Sequence, residues 1–163
     1  FFEITKDWHD ITDKVRKHLV TGATTHYRDC DFDINKFRKT EFAEANNRLM
    51  DELDARYEVL ANICKERKGK KSFHILMMHY FEDMYYVLKE MRRILRSGSK
   101  AYLILGDSAP YGVYTPTTQF LGEVALSVGF NEYQIYKIRT RGHKWNIKTR
   151  HNIELSENIL LLS

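Results

Sequence analysis

Two stretches of this sequence carry residue types that could do chemistry. In the first, the apolar run Leu103-Ile104-Leu105-Gly106 breaks abruptly into Asp107-Ser108-Ala109-Pro110-Tyr111. A carboxylate, a hydroxyl, a proline-stiffened turn and an aromatic ring therefore follow one another directly. This is either a catalytic loop hung on the end of a buried strand or a strand ending in a turn. In the second, residues 137–151 read KIRTRGHKWNIKTRH, with six Lys or Arg and no acid. Taking those six from the chain's net charge of +4 leaves the remainder at −2, so the basicity is local. A local cationic patch suits an anionic partner; a solvated loop is the plainer alternative.

Composition sets the frame for both. The chain has 163 residues, enough for one domain with a real core, and its 43% hydrophobic and 29% charged content is that of a soluble globular protein. No apolar run approaches the ~18 residues of a membrane span, and no signal peptide is read at the start. Cys30 and Cys64 form no CxxC pair and have no histidines at ligand spacing, which points to a reduced, cytoplasmic setting. The first residue is Phe1 and not methionine, so a longer parent chain is expected.

The elements that would position the two stretches follow from periodicity. Trp8, Ile11, Val15 and Leu19 share a helical face over residues 7–19, and residues 20–37 read as irregular. A helix over 41–67 is expected, capped by Thr40, with Phe42, Leu49, Leu53, Tyr57, Leu60 and Cys64 inward. Another is expected over 72–95, with Phe73, Met77, Tyr80, Met84, Val87, Met91 and Ile94 inward. His74 and His79 fall on different faces of it, as packing or surface residues and not metal ligands.

Beyond Leu95 the pattern changes. A turn at Gly98 precedes AYLILG, a continuous apolar run that fits an interior parallel strand. Thr115 and Pro116 open a further helix as cap and first residue, Phe120, Leu121, Val124, Ala125 and Val128 pack it, and Gly129 ends it. EYQIYKIRT and ENILLLS are two strands flanking the basic loop. The order is half of an α/β sandwich closed by an antiparallel hairpin.

This order and these words resemble the C-terminal half of a class I S-adenosylmethionine-dependent methyltransferase. More narrowly, they resemble the amino-methylating DNA methyltransferases that act on cytosine N4 or adenine N6. The likeness runs through YFEDMYYVLKEMRRILRSGSKAYLILGDSAPYGVYTPTTQFLGEVALSVGF and IYKIRTRGHKWNIKTRHNIELSENILLL. In that family a helix ends in a leucine and a glycine turn, the fifth strand ends in a GDS-like corner, and a helix opening on P-T leads to the terminal hairpin. Residues 72–163 carry the likeness; residues 1–71 resemble, less specifically, a mostly helical segment that follows the catalytic loop. The implied fold is a partial Rossmann-like class I methyltransferase sandwich, the second half of its sheet preceded by a helical segment.

The resemblance implies a site-specific DNA methyltransferase in a restriction–modification or defence setting, transferring a methyl group from S-adenosylmethionine to an exocyclic amine of a DNA base. Such an amine is a weak nucleophile. Oxygen acceptors hold its hydrogens and aim its lone pair, while an aromatic ring stacks on the flipped base. The family's glycine-rich cofactor loop is absent, since the eight glycines are scattered singly. Its [DNS]-P-P-[YFW] tetrapeptide is approached only by Ser108-Ala109-Pro110-Tyr111. That corner is read as lining the pocket through Asp107, Ser108 and Tyr111, with the catalytic motif upstream of Phe1; the alternative makes it the catalytic loop itself. The cofactor is then held only with a missing N-terminal half, on the same polypeptide or a second chain.

Arg139, Arg141, Lys144, Trp145, Lys148 and Arg150 are the expected nucleic-acid contacts, with Trp145 either stacking on a base or anchoring its loop. Two other functions stay open: a non-catalytic methyltransferase-like DNA-binding or partner module, and an RNA methyltransferase.

Overall fold

The computed structural model describes residues 5–23, 32–66, 71–141 and 154–163. Helix α1 (Trp8–Lys14) is capped by the Asp7 carboxylate, which accepts the Asp10 N–H at 2.9 Å. It gives way to a tighter turn at Arg16–His18, so the helix expected over 7–19 stops early and Leu19 is exposed. A short helix α2 (Ile34–Phe37) interrupts the segment expected to be irregular, because Asp33 caps it.

The single helix expected over 41–67 is two, α3 (Glu41–Ala45) and α4 (Asn47–Glu66). Thr40 caps the first through the Ala43 N–H at 3.4 Å. The break is at Asn46, whose backbone leaves the helical region while its side-chain amide donates to the Phe42 carbonyl at 2.9 Å. Asparagine competes for backbone groups in this way.

Helix α5 (Phe73–Ile94) buries Met77, Met78, Phe81, Met84, Tyr85 and Leu88, a wider face than the single stripe expected. It is flanked by α4 on one side and α6 on the other, so two adjacent stripes pack; Ile94, expected inward, is exposed.

The left-handed turn at Gly98 leads into β1 (Ala101–Gly106). The other strands are β2 (Tyr133–Arg141) and β3 (Leu155–Leu162), and the sheet order is β1-β3-β2. β3 is antiparallel to both neighbours, placing Ala101 opposite Leu162 and Tyr133 opposite the same residue. β1 and β2 therefore run parallel, joined by α6 (Thr117–Ser127), which packs across all three strands. Gly122 lets α6 sit close, because a Cβ there would come within 2.5 Å of the Tyr133 ring.

The described residues are thus mixed α/β with a three-stranded antiparallel sheet, and the expected terminal hairpin is present as β2 and β3. The expectation for β1 needs correcting. Among the described residues it is an edge strand whose partner is antiparallel. It is not buried on both faces, because α6 covers only one: Tyr102 and Ile104 on the other are 65% and 69% exposed.

Helix α6 also begins later than expected. Pro116 takes the cap position, and Thr115 instead exchanges backbone hydrogen bonds with Ser108, at 2.8 and 3.2 Å. No helix among the described residues is long and apolar enough to cross a membrane.

Candidate functional site

The polar corner at the end of β1 is built around a buried carboxylate. Asp107 is 5% exposed, and four donors converge on its two oxygens. The Thr118 N–H and hydroxyl donate to Oδ1 at 3.4 Å each, while the Ser156 and Tyr114 hydroxyls donate to Oδ2 at 2.7 and 3.1 Å. Asn158, also buried, donates to the Thr118 and Ser156 hydroxyls at 3.0 and 2.9 Å and extends the network. Asp107 thereby supplies the cap that α6 lacks locally, at the helix end that favours negative charge. Burial raises the Tyr114 pKa first, and its hydrogen bond to Asp107 raises it further, so that hydroxyl stays protonated and donates.

The loop from Ser108 to Thr115 is closed by their mutual bonds and folds back at Tyr111. Tyr111 is left-handed at φ 52°, ψ 23°, and Gly112 follows at φ 85°. For a bulky side chain this is a strained backbone, costing of order 1–3 kcal/mol unless its surroundings hold it. Its hydroxyl accepts the Lys71 N–H at 2.7 Å and donates to the Lys71 carbonyl at 3.3 Å. Its ring packs edge-on against Phe73 at 5.2 Å.

Between this corner and α5 lies a cavity of about 460 Å³. Its apolar wall is one side of α5: Phe73, Leu76, Met77, Tyr80 and Phe81. Its rim is Gly106, Asp107 and Ser108, with Thr115, Thr117 and Arg141. Burial raises the Tyr80 pKa, so this wall carries no charge from that phenol. Arg141 reaches the rim from the end of β2, its Nη1 donating to the Asp107 carbonyl at 3.3 Å. It crosses directly over Gly106, where a Cβ would lie 2.2 Å from that nitrogen. Size, aromatic lining and one cation suit a planar, polar-edged molecule of nucleoside scale.

Of the residues singled out in the sequence, Asp107 and Ser108 line the cavity together, and Arg141 joins them. Tyr111 stands behind the wall, touching it through Phe73. Arg139 is on the hairpin and pairs with Glu157, as Lys137 pairs with Glu154 at 2.7 Å; the opposite strand supplies the acids that the basic run lacks. Lys144, Trp145, Lys148 and Arg150 lie outside the described residues.

The α5 wall escaped sequence reasoning because its spacing is that of ordinary core. Ser156 and Asn158 gave no local signal, since their partners are remote. His74 packs edge-on to the Tyr57 ring, and His79 to the Phe32 and Phe37 rings. No known protein family, curated protein or solved structure matches this chain.

Proposed function

We propose that this chain is part of a DNA methyltransferase acting on an exocyclic amine, cytosine N4 or adenine N6, and that the cavity at the end of β1 receives the target base. One observation carries the reading: strand, polar corner, crossover helix and closing hairpin follow in the order the resemblance requires, and the corner opens on an aromatic-walled cavity with Arg141 at its rim. The Phe73 and Tyr80 rings offer the base an apolar face. Arg141, anchored on the Asp107 carbonyl, offers its remaining N–H groups to a base carbonyl or a flanking phosphate.

Asp107 positions and does not catalyse. Both its oxygens already accept hydrogen bonds, so a substrate amine would have to displace them. The acceptors that aim the amine are those of the catalytic motif that the resemblance places upstream of Phe1 or, in its alternative, in Ser108-Ala109-Pro110-Tyr111.

The described residues also do not fit S-adenosylmethionine. The β1–α6 connection is no glycine-rich loop, and the first α6 amides are taken, that of Thr117 by the Thr115 carbonyl and that of Thr118 by Asp107. No transfer step is assigned to this chain; it binds and orients. The engagement of Asp107 equally favours the second reading, a non-catalytic DNA-binding partner.

Incubating the complete gene product with methyl-labelled S-adenosylmethionine and duplex DNA, then digesting to nucleosides, tests this. Labelled N4-methylcytosine or N6-methyladenine is expected. Label in RNA alone would select the RNA reading, and duplex binding without label the non-catalytic one. The isolated chain should bind S-adenosylmethionine too weakly for calorimetry; micromolar affinity would place the cofactor site in this chain after all.

A further inference from the structure

Arg141 is the one cation among the described residues that line the cavity, and two contacts fix where its guanidinium lies. Nη1 donates to the Asp107 carbonyl at 3.3 Å, and the side chain passes over Gly106, where a Cβ would be 2.2 Å from that nitrogen. Asp107 is itself held by the Thr118, Tyr114 and Ser156 donors, so the carbonyl that anchors Arg141 belongs to a fixed corner. A guanidinium carries its N–H groups in a rigid planar fork and has no acceptor. One N–H is spent on that carbonyl, and the others have no partner among the described residues.

The neighbouring polar groups are already engaged. Both Asp107 oxygens accept hydrogen bonds, and the Thr117 hydroxyl donates to the Thr115 carbonyl at 3.4 Å. The Thr115 hydroxyl meets the Met77 sulfur at 4.0 Å. The Ser108 hydroxyl can donate or accept and imposes no choice. The aromatic wall imposes none either, because every base has a π-face to stack. Selection between bases therefore falls to the Arg141 fork.

We propose that Arg141 selects cytosine over adenine by pairing two N–H groups with O2 and N3 of the base; this rests on the reading of the cavity as the target-base site. A donor-only fork needs two adjacent acceptors in the ring plane. Cytosine has them in O2 and N3, and its N4 amine adjoins N3 on the same edge, so the pair also fixes where the amine lies. Adenine has no such pair. Its N1 and N7 are flanked by the N6 amine or by C–H, so a fork seated on either turns an N–H against a donor or a carbon. Reading adenine takes a side chain that both donates and accepts, as asparagine and glutamine do. Guanine offers O6 and N7 to arginine in DNA grooves, but its amine is remote from that pair. The base takes one edge of the fork and leaves the positive charge in place, so an outer N–H still serves a flanking phosphate.

Cytidine, uridine and adenosine are titrated separately into the full chain, with the Phe73 and Tyr80 ring signals followed by NMR. Uridine is the control for the edge, since it keeps O2 and puts an N3–H where cytidine has an acceptor. Cytidine should bind about tenfold or more tighter than either, the discrimination of one bidentate pair. Arg141→Lys keeps the charge and loses the fork, so the three affinities should converge. Gly106→Ala keeps the arginine and pushes aside its guanidinium, a flexible end that can yield, and should have the same effect. Should Gly106→Ala unfold the chain, Arg141→Lys decides alone. A cytidine preference that survives Arg141→Lys overturns the inference. Equal affinities in the parent chain, or tighter adenosine binding, overturn it too and leave the base site standing. Binding of none of the three overturns the base-site reading, and the inference with it. In the complete gene product the labelled nucleoside should be N4-methylcytosine; N6-methyladenine would overturn the selection and keep the methyltransferase.

Discussion

Asp107 and Ser156 are joined twice: the Ser156 hydroxyl donates to the Asp107 carboxylate at 2.7 Å, and the Asp107 N–H donates to the Ser156 carbonyl at 3.0 Å. The first bond uses the side chain and the second the backbone, so substitution removes only one of them. Asp107→Ala leaves the Thr118 N–H and the Tyr114 and Ser156 hydroxyls without their acceptor and should cost about 2–4 kcal/mol. Asp107→Asn keeps one acceptor oxygen but turns an NH2 toward the remaining donors, so it should not restore stability. Tyr114→Phe removes one donor and should cost about 1 kcal/mol. Urea midpoints check the order; an unshifted midpoint for Asp107→Ala would dissolve the network.

Tyr111 makes a prediction that inverts a usual rule. In most places glycine is less stable than alanine by roughly 0.5–1 kcal/mol. At φ 52° the alanine backbone is strained and the glycine backbone is not. Both variants lose the Lys71 bonds and the Phe73 contact equally, so Tyr111→Gly should melt at or above Tyr111→Ala. Tyr111→Phe keeps the ring and loses the hydroxyl bonds, costing about 1 kcal/mol. Glycine melting clearly below alanine would mean that the left-handed turn is not there in solution.

Those two residues also show which parts of the structure local sequence signals reveal. The Gly98 and Gly129 turns and the Thr40 cap follow from residues within a few positions of the feature, and β2 and β3 from the pattern of their own runs. The α6 cap does not, because Asp107 lies 11 residues before Thr118 and its other anchor, Ser156, is 49 residues away. The cavity wall was hidden for a related reason. Phe73, Met77 and Tyr80 have core spacing, and only the placement of α5 beyond β1 leaves them facing space. Tyr111 runs against its own local preference, which no periodicity reveals. The break at Asn46 was within reach, since asparagine is a poor residue for a helix interior.

His74 sets an acid dependence of stability. Its Nδ1 is buried with no hydrogen-bond partner among the described residues; burial first, and then Lys65, lower its pKa below the ordinary 6.5. The unfolded chain therefore binds the proton more readily than the folded one. Stability contributed by the neutral ring is complete above about pH 6.5 and declines as pH falls toward the lowered folded value. His74→Phe should flatten the fall in melting temperature between pH 7.5 and 5.5 relative to the parent chain. Parallel pH profiles for the two proteins would assign the acid sensitivity elsewhere.

The hairpin cations make the last prediction, because the sheet pairs some of them internally. Arg139 and Lys137 are held by Glu157 and Glu154, whereas Arg141 donates to a neutral carbonyl. Each phosphate neutralised adds roughly −0.9 to the slope of log affinity against log salt on duplex DNA. Replacing Arg141, Lys144 and Lys148 with alanine should therefore flatten that slope by up to about 2 to 3 units. Affinity should fall on all sequences alike, since phosphate contacts position without specifying. Glu154→Gln with Glu157→Gln should act in the opposite direction, releasing two cations and steepening the slope by up to about 2 units. Trp145→Ala should weaken binding with little change in slope, because stacking releases few counterions. Fluorescence anisotropy across a salt series reads all three. A slope unmoved by both the cation and the acid substitutions would make this hairpin a solvated face and remove the physical basis for DNA as the partner.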